Sequence, residues 1–126
     1  MSNLDTFSIS NTTKQKVETL PRHKRGLPFE SIKNAVLGKD YELSLVFCGS
    51  RLSRRLNKTY RGKDKQTNVL SFPLSENSGE IFINLSHLNG FSVGNLFIHG
   101  LFHLKGFDHG DTMEQAESIL RKKFKI

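Results

Sequence analysis

The chain has 126 residues and a mass of 14.3 kDa, and it carries 19 Lys and Arg against 12 Asp and Glu. This length predicts a single domain spanning residues 1–126, and the one cysteine excludes an intramolecular disulfide and zinc sites that need several cysteines. No apolar run approaches the ~18 residues of a membrane span, and the N-terminus lacks the pattern of a signal peptide, so we expect a cytoplasmic protein.

Apolar periodicity predicts four elements in the first half of the chain. In chain order they are a strand over Asp5–Ser10, a helix from Pro28 to Gly38, a strand over Tyr41–Cys48 and a helix over about residues 51–60. In the second helix, Leu52 and Leu56 would point inward. Its arginines and lysines must then face water or a ligand.

The second half of the chain predicts two strands followed by two helices. They are a strand over Asn68–Phe72 that Pro73 ends, a strand over Glu80–Asn84, a helix over Phe91–Lys105 and a helix beginning at Asp111 or Thr112. The helix over Phe91–Lys105 is apolar nearly all round, which places it at the centre of a fold. The element order predicts an α+β class, with a small mixed four-stranded sheet packed with helices.

Basic side chains are concentrated between residues 51 and 65, where seven lysines and arginines stand against Asp64 alone. Such a band favours binding to a polyanion, and counterion release would make that binding depend on salt. The alternative interpretation is a solvated helix face.

Three histidines have the spacing of metal ligands. His99 and His103 are four residues apart on the predicted central helix, so both imidazoles lie on one helix face. Gly106 would end the helix and allow the chain to present His109. Three imidazole ligands leave a tetrahedral zinc ion one open position for water, as in catalytic sites. Three imidazoles also accept nickel or cobalt, so the sequence does not select zinc over these metals.

The same spacing occurs in metzincin proteases, whose pattern is His-Glu-x2-His-x2-Gly-x2-His. Gly100 stands here in place of the glutamate that acts as the general base of those enzymes. We therefore expect the metal geometry without peptide hydrolysis.

Two blocks of sequence resemble a known family. The segment His99-Gly100-Leu101-Phe102-His103-Leu104-Lys105-Gly106-Phe107-Asp108-His109 is similar to the signature of the YbeY family of bacterial endoribonucleases, H-G-x-L-H-L-x-G-Y-D-H. A second block, from Leu56-Asn57-Lys58-Thr59-Tyr60-Arg61-Gly62-Lys63-Asp64 to Thr67-Asn68-Val69-Leu70-Ser71-Phe72-Pro73, agrees as well. The clear matches cover residues 52–120, with Phe107 replacing the family's tyrosine and Gln66 a frequent proline.

The resemblance implies a zinc-dependent, single-strand-specific endoribonuclease. The family acts in ribosomal RNA processing, notably 3′-end maturation of small-subunit rRNA, and in ribosome quality control. His99, His103 and His109 would bind one zinc ion, and Arg61 would be the catalytic arginine near the metal. The implied partners are single-stranded ribosomal RNA and the ribosome or its small subunit, with neither a membrane nor a peptide substrate.

The basic band then acquires a role in RNA binding. The residues that we expect to hold flanking phosphates are Arg54, Arg55, Lys58 and Lys63. Arg61 would stabilise charge on the phosphate in the transition state, unless it forms a structural salt bridge. Bases of a single strand would stack on exposed aromatic side chains such as Tyr60.

The general acid or base is left open by the sequence. Asp108 is near the histidines, and we favour a role in orienting a ligand histidine, or in capping the turn, over one in proton transfer. His23 and His87 lie outside the metal spacing, and Cys48 is expected to be buried. An alternative function is a non-catalytic, ribosome-associated RNA-binding assembly factor whose metal is structural.

Overall fold

Four strands and four helices make up the fold in the computed structural model, which describes residues 6–17 and 27–126. In chain order they are β1 (Phe7–Asn11), α1 (Phe29–Leu37), β2 (Glu42–Cys48), α2 (Ser50–Arg61), β3 (Val69–Ser75), β4 (Ser78–Asn84), α3 (Val93–Leu104) and α4 (Asp111–Phe124). The start of the first strand at Asp5 and the position of His23 lie outside the described residues.

The strands form one mixed sheet in the order β1-β2-β4-β3. The first three strands in this order are parallel, and β3 pairs antiparallel with β4 through a two-residue turn at Glu76 and Asn77. The predicted α+β class with a mixed four-stranded sheet is confirmed. Because β3 stands at an edge of the sheet, no described strand pairs with its outer side.

Alternation along the strands gives the sheet two different faces. Leu45, Ile81 and Ser71 are register partners on one face, which α3 covers. The opposite face carries Phe72 and Phe82 and is covered by α2, which contacts both β3 and β4. The two functional regions predicted from the sequence, the histidine helix and the basic helix, therefore lie on opposite faces of one sheet.

The histidine-bearing helix α3 is central, as predicted. It packs against β3, β4, α1 and α4, and Phe97, Ile98 and Leu101 are fully buried. Ser71 Oγ donates a hydrogen bond of 3.2 Å to the carbonyl oxygen of Gly100. A Cβ atom at Gly100 would lie 2.9 Å from Ser71 Oγ and 3.1 Å from Ile81 Cδ1. The helix approaches the sheet this closely because residue 100 has no side chain.

Several element boundaries differ from the prediction, and two of these differences have a clear physical reason. Pro73 does not end β3, because an edge strand tolerates the missing proline N–H, and the strand continues with a register shift to Ser75. The central helix begins at Val93 rather than Phe91, because the Ser92 side chain caps it by accepting a hydrogen bond from Asn95 N. Within the described ranges, no helix has the length and hydropathy needed to cross a bilayer.

The close approach at Gly100 predicts that Gly100→Ala destabilises the fold. Overpacking costs about 1–3 kcal/mol, which exceeds the gain of about 1 kcal/mol in helix propensity. Gly94→Ala is the matched control on the same helix, because its nearest contacts are the movable ends of Leu27 and Ile126. Urea unfolding should give a lower midpoint for Gly100→Ala only; equal midpoints for the two variants would contradict the steric explanation.

Candidate metal centre

The three predicted histidines meet at the C-terminal end of α3. His99 Nε2 and His103 Nε2 are 3.1 Å apart, and the His109 ring centroid lies 4.9 Å from that of His99 and 4.5 Å from that of His103. One nitrogen from each ring falls within 4.8 Å of the other two. Two imidazole nitrogens that bind one zinc ion are at most about 4.2 Å apart, since each Zn–N bond is about 2.0–2.1 Å. The distance between His99 Nε2 and His103 Nε2 is within this limit, and the three histidines could together hold a single metal ion.

The other ring nitrogens also favour metal binding, because hydrogen bonds hold two of the rings in position. His99 Nδ1 is 2.8 Å from Glu117 Oε2 on α4, and His103 Nδ1 is 3.1 Å from the carbonyl oxygen of Phe107. Both partners are acceptors, so they favour the tautomer that carries its proton on Nδ1. This leaves the Nε2 lone pair of each ring directed at the shared centre.

The turn after α3 explains why a glycine stands between the second and third histidines. Gly106 has φ 103° and follows the last helical residues, and Phe107 N donates to the carbonyl oxygen of Phe102. The Phe102 and Phe107 rings pack with their centroids 5.3 Å apart. These are the features of a Schellman motif. The turn both presents the acceptor for His103 and reverses the chain so that His109 returns to the cluster.

The surroundings of His103 favour its neutral form. Burial lowers the pKa of this imidazole below 6.5, and the neighbouring charges of His99, His109 and Arg61 lower it further, whereas the hydrogen bond to Phe107 acts in the opposite direction. The neutral imidazole is the form that binds a metal. The lowered pKa of His103 therefore favours its ligating form.

A cavity of ≈ 570 Å³ opens over the cluster and contains Arg61. Arg61 is the last residue of α2, on the far face of the sheet, and its side chain reaches the cavity at the edge strand β3. Its Nη2 donates a hydrogen bond of 2.7 Å to the carbonyl oxygen of Ser71, and its guanidinium carbon lies 5.4 Å from the Phe72 ring centroid. The structure thus brings Arg61 and the three histidines to one cavity, and the side chain of Arg61 bonds to a backbone carbonyl rather than to a carboxylate.

The carboxylate that orients a histidine is Glu117, which was not predicted from the sequence. Asp108 is exposed and lines the same cavity as Arg61. Among the described residues, it makes no hydrogen bond to a histidine. No contact of Asp108 with the described residues thus supports the expected role in orienting a histidine. The missed signal was periodicity, because Glu117 lies one turn from Met113 and close to Leu120 on the buried side of α4.

The basic residues of α2 line a separate cavity of ≈ 780 Å³ on the outer side of that helix. Arg54, Arg55 and Lys58 are all part of it, whereas Lys63 is exposed but does not line it. Asp64 pairs with Arg54 at 2.7 Å and lies 3.9 Å from Lys58. The hydrogen bond from Arg54 lowers the pKa of the Asp64 carboxyl. Three of the four predicted phosphate-binding residues share one surface, on which one carboxylate offsets part of the charge.

Other reactive side chains lie outside both cavities. Cys48 is fully buried, and this burial raises the pKa of its thiol to about 11. His87 Nδ1 is 3.4 Å from Gln66 Nε2 and does not join the histidine cluster. Tyr60 is 68% exposed but its ring packs edge-on against Phe72.

Known proteins resemble this chain in sequence and in fold. A family model described as Endoribonuclease YbeY matches residues 8–126. The Endoribonuclease YbeY of Alkaliphilus metalliredigens is 36% identical over 108 residues, covering 69% of this chain and 68% of that protein. The protein of the same name from Aquifex aeolicus is 33% identical over 135 residues, covering 88% of this chain and 90% of that protein. The solution structure of TM1509 from Thermotoga maritima shares the fold, with a TM-score of 0.55 and 21% identity over 94% of this chain and 88% of that chain.

The hydrogen bond between His99 and Glu117 predicts that Glu117→Gln weakens metal binding. Loss of a carboxylate partner of a ligating histidine costs roughly 10- to 100-fold in metal affinity. Glu114→Gln is the matched control, since Glu114 is an exposed carboxylate on the same helix. Competition with a chromogenic zinc chelator measures both affinities. Equal zinc affinities in the two variants would show that the carboxylate of Glu117 does not support the ligand.

Proposed function

Because this chain belongs to the YbeY family of endoribonucleases, we propose that it is a zinc-dependent endoribonuclease that cuts single-stranded RNA. The observation that carries this proposal is the meeting of His99, His103 and His109 with Arg61 in one cavity. Three imidazoles would hold the ion, and one arginine would bind the substrate phosphate. We propose that the whole chain acts as one domain.

The metal would supply the chemistry that side chains here do not provide. A zinc ion held by the three histidines would polarise a phosphoryl oxygen and lower the pKa of bound water. Glu117 and the Phe107 carbonyl hold His99 and His103 with Nε2 directed inward. Histidines held in this way need little rearrangement to bind the metal.

Arg61 would bind and orient the reacting phosphate. The Ser71 carbonyl holds one of its terminal nitrogens, and Phe72 lies against the guanidinium, so the side chain has a defined position at the cavity wall. A guanidinium has five N–H donors, which leaves others to bind non-bridging phosphate oxygens. Charge that develops on those oxygens in the transition state would be stabilised there.

The basic surface of α2 would bind the phosphates that flank the reacting one. Arg54, Arg55 and Lys58 follow α2 toward Arg61 at its C-terminal end, and Lys63 lies just beyond. This arrangement supports an RNA strand that runs along α2 into the metal cavity. We propose that the bound RNA strand is ribosomal RNA and that the protein acts in the cytoplasm. The reaction would serve 3′-end maturation of small-subunit rRNA and ribosome quality control. The ribosome or its small subunit would be the partner.

Substitution of a ligand separates the nuclease from the alternative, an RNA-binding assembly factor with a structural metal. We expect the untagged, dialysed protein to contain about one zinc ion per chain by mass spectrometry. His103→Ala should lose the ion and all cleavage of single-stranded RNA, and it should keep RNA binding through α2. His87→Ala is the control, because this histidine lies outside the cluster. Cleavage that persists in purified His103→Ala would contradict the proposed chemistry, and a wild-type protein that binds RNA without cutting it would support the assembly factor.

Substitution of Arg61 tests its role apart from the metal. Arg61→Ala should lower kcat by about 10²- to 10³-fold with zinc content retained, because a preorganised donor to the transition state is lost. Arg61→Lys should recover part of the rate, since it restores the charge without the planar fork. A variant with an unchanged kcat and a lower urea midpoint would instead assign Arg61 to the hydrogen bond with Ser71.

A further inference from the structure

A third cavity, of ≈ 590 Å³, adjoins the metal centre between α3 and α4. His99 and His109 line both this cavity and the one that contains Arg61. An endonuclease cuts inside a strand, so nucleotides continue in both directions from the reacting phosphate. The histidine cluster at the junction of two cavities provides a place for each side of the strand.

The residues of this third cavity have the chemistry of a nucleobase site. Phe91 is 53% exposed and lies immediately before the capping residue of α3. Asn95 on α3 and Arg121 on α4 also line the cavity, and both are partly buried. In the described part of the chain, neither side chain has a hydrogen-bond partner. An aromatic ring, an amide and a guanidinium together offer stacking, edge recognition and a positive charge.

The backbone on both sides of Phe91 fixes the position of its ring. Asn89 and Gly90 have positive φ values of 57° and 84°, and Phe91 N donates to the carbonyl oxygen of Leu88 at 3.1 Å. The Ser92 hydroxyl then caps α3. A turn on one side and a helix cap on the other hold the ring at the cavity without burying it in the core.

We propose that this cavity is a nucleobase subsite next to the scissile phosphate. A base of the RNA strand stacks on the Phe91 ring, the Asn95 amide contacts its edge, and Arg121 binds a neighbouring phosphate. The proposal rests on the proposed function, since it needs a strand across the histidine cluster. It also accounts for single-strand specificity, because a base that is paired and stacked in a duplex cannot enter the cavity.

The test uses the zinc-loaded full chain and short single-stranded 2′-O-methyl RNAs that carry one abasic nucleotide, moved along the sequence one position at a time. Fluorescence anisotropy measures their dissociation constants. For wild type, one abasic position should weaken binding roughly 5- to 150-fold relative to the intact RNA. Phe91→Ala should weaken binding of the intact RNA by a similar factor and remove the dependence on that position.

Two variants control for general effects on the surface. Ile119→Ala removes an apolar side chain that is 70% exposed on α4 and should retain the wild-type dependence on the abasic position. Lys122→Ala removes an exposed charge next to Arg121 and should weaken binding less than Arg121→Ala does. Circular dichroism before each titration confirms that the variants are folded.

Cleavage of the matching unmodified RNA distinguishes this proposal from the nuclease proposal. If Phe91→Ala binds the intact RNA as tightly as wild type while wild type cleaves it, the base subsite is wrong and the nuclease stands. If the dependence on one abasic position is present and lost in Phe91→Ala but no RNA is cut, the subsite stands and the nuclease is wrong. Equal weakening by every abasic position would also overturn the subsite.

Discussion

The close packing of α3 against the sheet at Gly100 is the constraint on which the rest of the site depends. The absent side chain lets the helix backbone approach Ser71 and Ile81. The helix is then fixed on the sheet with His99 and His103 directed toward the cavity. The same contact explains the departure from the metzincin pattern, because the position that carries the glutamate base in those enzymes is here buried against two strands. The histidines thus keep the metal-binding spacing of those enzymes, whereas the residue after the first histidine, Gly100, packs against the sheet.

The end of α3 joins folding and ligand geometry in one short segment. The Schellman turn at Gly106 satisfies helix carbonyls, packs Phe107 on Phe102 and presents a carbonyl oxygen to His103. A change in this turn would alter both the helix end and the orientation of a ligand. Glu117 adds a second constraint from α4, so the cluster is held by two elements that pack on each other.

The edge position of β3 gives the site its second component. Arg61 belongs to the helix on the opposite face, and it reaches the metal cavity past β3, which is an edge strand of the sheet in the described part of the chain. The substrate strand that we propose would follow the basic surface of α2, cross the histidine cluster at this edge and reach Phe91 on the other side. Electrostatic attraction would dominate on the α2 side, whereas stacking and edge contacts would dominate in the cavity beside α4.

The sequence by itself determined the features that depend on local geometry. The i, i+4 spacing of His99 and His103 and the glycine turn before His109 follow from helical periodicity and backbone conformation, so the cluster, the central helix and the α+β class were predicted correctly. Only the tertiary structure decided which distant groups meet. The pairing of Glu117 with His99 and the strand register beyond Pro73 depend on sheet order and helix packing. So does the path of Arg61 around β3, although the resemblance had implied that this arginine lies near the metal. The physical reason is range: periodicity specifies which face a residue occupies, but the partner of that face is chosen by packing between segments far apart in the chain.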